Sequence, residues 1–146
     1  MNICEYIINN NLPHKVLEDG RIEQVGNYII VDECITCLKN FVQNGKLDLS
    51  HNKITSLKGF VQNGYLDLSC NRITSLKGFV QNGDLCLSFN EIKSLEGFTQ
   101  NCGLVLRYNR ITYLKGFVQN GYLDVRHNEI KSLEGFVSDK YFTFYM

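Results

Sequence analysis

Apolar residues recur along this chain at a step of nineteen. Leu47-Asp48-Leu49-Ser50-His51-Asn52-Lys53-Ile54 is followed, after Thr55-Ser56-Leu57-Lys58-Gly59-Phe60-Val61-Gln62-Asn63-Gly64-Tyr65, by Leu66-Asp67-Leu68-Ser69-Cys70-Asn71-Arg72-Ile73 and a near-identical continuation. Stepping from Ile54 reaches Ile73, Ile92, Ile111 and Ile130. Leu57, Leu76, Leu95, Leu114 and Leu133 form a second column, and Phe60, Phe79, Phe98, Phe117 and Phe136 a third. One polar column keeps the same step: Asn52, Asn71, Asn90, Asn109 and Asn128. Such a period predicts a solenoid, in which each coil is one supersecondary unit that buries its apolar face only against its neighbours.

Within a coil, the alternation Leu47-x-Leu49 puts both leucines on one face of a strand, and stacked strands lie about 4.8 Å apart. A parallel sheet of about seven strands follows, spanning about 29 Å. After the Asn, apolar residues fall three apart, and the rest of the coil is too short for a multi-turn helix. The return side is therefore expected to be 3₁₀ turns or irregular structure, which makes the fold an α/β-type repeat solenoid that is mostly β. The register extends backwards through Tyr28, Ile30, Ile35, Leu38 and Phe41, with Glu33 in the Asn position. Residues 28–46 thus read as a degenerate first repeat, 47–141 as five copies and 142–146 as a terminal strand. Residues 1–27 lie outside the repeat and read as an N-terminal cap, with a hairpin over 16–23 around Asp19-Gly20.

The unit L-x-L-x-x-N-x-I-x-x-L-x-G-F resembles the leucine-rich repeat family, and the likeness covers residues 28–146. Family units usually run 20–29 residues with a further leucine before the strand. Here that slot holds Asn44, Asn63, Asn82, Asn101 and Asn120, followed mostly by Gly, as if the coil were shortened and turned with Asn-Gly. The short coils and near-identical copies also look like repeat proteins encoded by large DNA viruses of amoebae. The resemblance implies a right-handed coil with a concave parallel sheet and recognition of a protein partner by that sheet.

The Asn column reads as structural, because its amide can donate to and accept from backbone groups where the strand bends away. The outward strand residues vary while the scaffold does not. In the middle of the face they gather Phe89, Val105, Arg107, Tyr108, Tyr122, Arg126 and His127, and aromatic and Arg residues are the types enriched in interface hot spots. These are the candidate partner-binding residues. A second reading is an assembly component that self-associates through its open C-terminal strand, Phe142 and Phe144. On the return side Lys58, Lys77, Glu96, Lys115 and Glu134, with Lys53, Arg72, Glu91, Arg110 and Glu129, suggest rows of opposite charge that fix register.

Composition adds mainly exclusions. Fifteen Lys plus Arg balance fifteen Asp plus Glu, so no summed positive field gathers nucleic acid or an anionic membrane, and neither is expected as a partner. The N-terminus has no secretory pattern, no Asn-x-Ser/Thr sequon occurs, and six irregularly spaced cysteines read as reduced thiols. The expectation is an intracellular, cytoplasmic protein, in host cytoplasm if viral. Cys34-x-x-Cys37 has redox or zinc half-site spacing but lacks a second pair, and His51 and His127 stand four coils apart. Asp48, Asp67 and Asp124 lie on an open strip without a substrate wall. No catalytic residue, metal or cofactor is expected, and the chain is not expected to be an enzyme.

Overall fold

The computed structural model describes residues 1–138, and the expected terminal strand with Phe142 and Phe144 lies outside them. A mostly β solenoid of about six turns results, with parallel sheets and little helix. Tyr28–Ile29, Leu47–Asp48, Leu66–Asp67, Leu85–Cys86, Leu104–Val105 and Leu123–Asp124 pair in chain order into one six-stranded parallel sheet. Register steps by nineteen throughout, as in Leu47 opposite Leu66. The leucines on either side of each outward residue, such as Leu47 and Leu49, are buried.

The return side is not 3₁₀. No described residue adopts that conformation, and the chain forms two more parallel β ladders instead. One runs through Ile22–Val25, Phe41–Asn44, Val61–Asn63 and Val80–Gln81, and resumes at Thr99–Gln100, Val118–Gln119 and Val137–Ser138. The other consists of single bridges, Cys37 to Ser56 and Ser94 to Tyr113 to Ser132. Three-residue spacing of Ile54, Leu57 and Phe60 marks corners rather than a helix turn. The corner at Leu57–Phe60 is a turn closed by the Phe60 N–H donating to the Leu57 carbonyl at 3.1 Å. Gly59 sits in it at φ +77°, a left-handed conformation that glycine adopts without steric penalty.

Beyond that corner, Phe60 and Gln62 alternate with Val61 and Asn63, so Phe and Gln both point inward. Phe41, Phe60, Phe79, Phe98, Phe117 and Phe136 stack ring on ring at 5.5–6.3 Å. The glutamines Gln24, Gln43, Gln62, Gln81, Gln100 and Gln119 are all buried, a column absent from the periodicity reading. Gln62 Nε2 donates to the Gly45 carbonyl of the preceding coil at 2.7 Å and to the Tyr65 carbonyl of its own corner at 3.2 Å. Gln81, Gln100 and Gln119 repeat both bonds, whereas Gln43 keeps only the first and Gln24 donates to the Pro13 carbonyl.

The cap contains a helix besides the hairpin. Ile3–Asn9 starts on a capping box, with Asn2 Oδ1 accepting from the Cys4 N–H at 2.8 Å and Glu5 accepting from the Asn2 N–H, and it buries Ile3 and Ile7 against the first coil. Lys15–Val16 pairs antiparallel with Ile22–Val25, which in turn pairs parallel with Phe41–Asn44. Parallel coil pairing therefore begins at Ile22, ahead of Tyr28.

Gly45, Gly64, Gly83 and Gly121 serve close approach more than turn geometry. A Cβ on Gly64 would run into the Gly45 carbonyl, one on Gly83 into the Gly64 carbonyl, and one on Gly121 into the Cys102 carbonyl. Cys102 is the exception in this column. At that coil the return ladder breaks: Val80–Gln81 is not paired with Thr99–Gln100. The exposed amide chain of Asn82 to Asn63 to Asn44 and Asn120 to Asn101 is interrupted at the same place. Phe79 and Phe98 are 7% and 5% exposed there, where Phe60 and Phe117 are fully covered. Steric exclusion by the Cys102 Cβ accounts for the gap. Cys102→Gly is expected to close it and let the Asn101 N–H bond to Gln81 as the Asn120 N–H bonds to Gln100 at 2.8 Å. Hydrogen exchange reads this directly: the Asn101 amide should gain protection, and unchanged exchange there would remove the steric account.

The alternating charges of the return side do not pair. Among the described residues the ion pairs are Arg21–Asp19, Arg107–Asp124 and Arg126–Asp124, none of them in those columns. Long exposed Lys and Glu side chains lose rotamer freedom for little screened attraction, so they stay in solvent.

Candidate functional site

Four positions per coil of the front sheet lie outside the apolar columns, although Ser50, Ser88 and Asp124 among them are buried. Lys46, Tyr65, Asp84, Gly103 and Tyr122 form the first column, and Asp48, Asp67, Cys86, Val105 and Asp124 the second. Ser50, Ser69, Ser88, Arg107 and Arg126 form the third, and His51, Cys70, Phe89, Tyr108 and His127 the fourth. The fourth column has left-handed backbone in every coil, φ +55° to +58°, because the chain must swing out of the strand before the Asn. Glycine would be unstrained there, yet none occurs.

The Asn column fixes that swing. Asn71 Oδ1 accepts from the Ile54 N–H at 2.9 Å, while its Nδ2 donates to the Leu49 carbonyl at 3.0 Å and the Leu68 carbonyl at 3.1 Å. The same bonds recur at Asn52, Asn90, Asn109 and Asn128, each tying one coil to the one before.

Phe89, Tyr108 and His127 stack face to face, with centroids 4.5 and 4.2 Å apart and planes within 9°. Phe89 and Tyr108 are 53% and 45% exposed. Their faces cover one another, so the ladder offers ring edges to solvent.

Arg107 and Arg126 are not open hot-spot cations. Both reach Asp124, at 2.6 Å from Arg107 Nε and 2.7 Å from Arg126 Nη2, and the Tyr122 hydroxyl donates to the same oxygen at 3.3 Å. Asp124 is fully buried rather than part of a wet strip. Burial alone would push its carboxyl up, but hydrogen bonds from Arg126 and Arg107 outweigh that and hold it down to about 2.

The other half of the sheet is acidic. Asp48 Oδ1 accepts from the Ser50 N–H, Asp67 Oδ1 from the Ser69 N–H and hydroxyl, and Asp84 Oδ1 from the Gly103 N–H at 2.7 Å. Tyr65, whose hydroxyl approaches Asp67 at 3.5 Å, has its phenol pushed up to about 12, by burial first and then by Asp67, Cys86 and Asp48. Between Tyr65 and Tyr122 lies a groove of about 410 Å³ over Asp84, Leu85, Cys86, Gly103 and Val105. Of the candidate residues, Val105 and Tyr122 line it. Tyr65, Asp84, Cys86 and Gly103 were missed, although two tyrosines flanking a glycine in one column signal a walled depression.

The cysteines offer no assembled centre. Cys34 is exposed and Cys37 bridges Asn2 and Ser56, while the Cys4 thiol is pushed up to about 11, by burial and then by Cys37. Among the described residues no group of three or more His, Cys, Asp or Glu is placed to hold a metal ion, and no helix is long and apolar enough to cross a membrane.

A leucine-rich repeat family model matches residues 46–57, and the same unit recurs coil by coil through the described chain. That match and the stacked nineteen-residue coils fit a leucine-rich repeat solenoid. No curated protein and no solved structure matches it.

Proposed function

We propose that this chain is a non-catalytic protein-interaction module that binds its partner through the six-stranded sheet. Solenoids of this class present extended sheet surfaces for recognition. The observation that carries the reading is the exposed ladder of Phe89, Tyr108 and His127 beside a walled groove, on a sheet whose outward residues change from coil to coil. Large exposed aromatics held in left-handed backbone are a poor choice for folding alone, and ring edges suit docking of side chains better than base stacking.

Phe89→Ser combined with Tyr108→Ser is the test. Proteins captured from a source-cell lysate by the wild-type chain should be lost, with affinity down at least ten-fold, while loss of the two stacked pairs, about 0.5–1.5 kcal/mol each, leaves the fold intact. Capture unaffected by the pair would remove the reading. Recovery of only further copies of the chain would favour the assembly reading instead.

A further inference from the structure

We propose that the groove between Tyr65 and Tyr122 seats an extended segment of a partner protein whose Lys or Arg side chain is directed at Asp84. This deepens the interaction-module reading and rests on it. In a single outward column the side chains run Tyr65, Asp84, Gly103, Tyr122: two rings with a short acid and no side chain between them. The walls stand three coils apart, about 14 Å at the strand spacing, which leaves room for an extended chain along the floor. Gly103 keeps that floor open, because a Cβ there would lie 3.0 Å from Asp84 Oδ1. Cys86 and Val105 make the floor apolar, suited to the methylene stem of a long basic side chain.

Charge selects the head group. Asp48, Asp67 and Asp84 face outward in this half of the sheet with Lys46 as the opposing cation, while Arg107 and Arg126 are drawn to Asp124 further along. Asp67 uses both oxygens, on Ser69 and Tyr65, whereas Asp84, which lines the groove, gives only Oδ1 to a hydrogen bond, from the Gly103 N–H. Tyr65 and Tyr122 add ring faces that attract a cation. The upward push on the Tyr65 phenol, part of it from Asp67 and Asp48, reports the same negative field. At the other end of the same two coils stand Phe89 and Tyr108, so the segment that fits carries both a basic residue and an apolar one.

Panning a displayed library of random heptapeptides against the full chain tests this. Enrichment of peptides that combine Lys or Arg with an apolar residue is expected, with binding weakened ten-fold or more by Asp84→Asn and by added salt. Asn at 84 retains an acceptor for the Gly103 N–H, so the coil is preserved. Enriched peptides without basic residues, or affinity indifferent to Asp84→Asn, overturn the proposal. If those peptides still fail on the Phe89→Ser, Tyr108→Ser chain, the sheet remains an interaction face and only the basic specificity falls. Peptides indifferent to all three substitutions, or no enrichment, sink both.

Discussion

Asn90→Ala should destabilise the chain by about 3–5 kcal/mol, the largest loss expected from any single polar substitution. Asn90 is 6% exposed and makes one bond as acceptor, from the Ile73 N–H at 2.9 Å, and two short ones as donor, to the Leu68 and Leu87 carbonyls at 2.9 and 3.1 Å. Alanine leaves those backbone groups inside the stack with no water, at about 1–3 kcal/mol for each that stays unsatisfied. Asn90 also joins the third full coil to the second. Because coupling in a solenoid runs between neighbours, a break in the middle should split denaturant unfolding into two transitions. Asn82→Ala is the control: the same residue type, exposed, with its amide on Asn63 at 2.8 Å, and expected to cost under about 1 kcal/mol. Equal losses from the two would show that the buried bonds contribute nothing special.

The apolar columns and the Asn column were legible because nineteen-step periodicity reports which side chains share an environment. Periodicity does not say which way a polar residue points. Gln62 and its equivalents recur as faithfully as Phe60, yet only the strand alternation Phe60-x-Gln62 places both inside. The second ladder was lost for the same reason: three-residue spacing of Ile54, Leu57 and Phe60 looks helical when the corner at Gly59 is not recognised. Gly64 and Gly83 were legible as turn residues, but their close approach to the neighbouring carbonyls depends on coil separation, which one coil cannot reveal.

The candidate site was legible in part. Phe89, Tyr108 and His127 share a column, so their stacking follows from register alone. Arg107 and Arg126 looked free because their counter-charge lies in a different column, and the pairing with Asp124 is a diagonal contact between and within coils that the repeat unit does not encode. The groove likewise arises from a missing side chain at Gly103, a feature visible only when columns are compared for size as well as polarity.

That diagonal contact gives the second large effect, a pH-dependent one. Asp124 is held at about 2, below its ordinary 3.8, so its ion pairs stabilise the fold fully above pH 4 and are lost as pH falls through 2. The shift corresponds to stabilisation on the order of 2 kcal/mol. Asp124→Asn removes the charge and turns an amide N–H₂ toward one of the two guanidinium groups, so at pH 7 it should cost at least that much. Both chains lose stability in acid as other carboxylates protonate, but the difference between them should shrink from about 2 kcal/mol at pH 7 toward zero near pH 2. Urea unfolding of the pair across that range measures it. A difference that does not change with pH would mean that packing of the Asp124 side chain, and not its charge between Arg107 and Arg126, is what holds this end of the sheet.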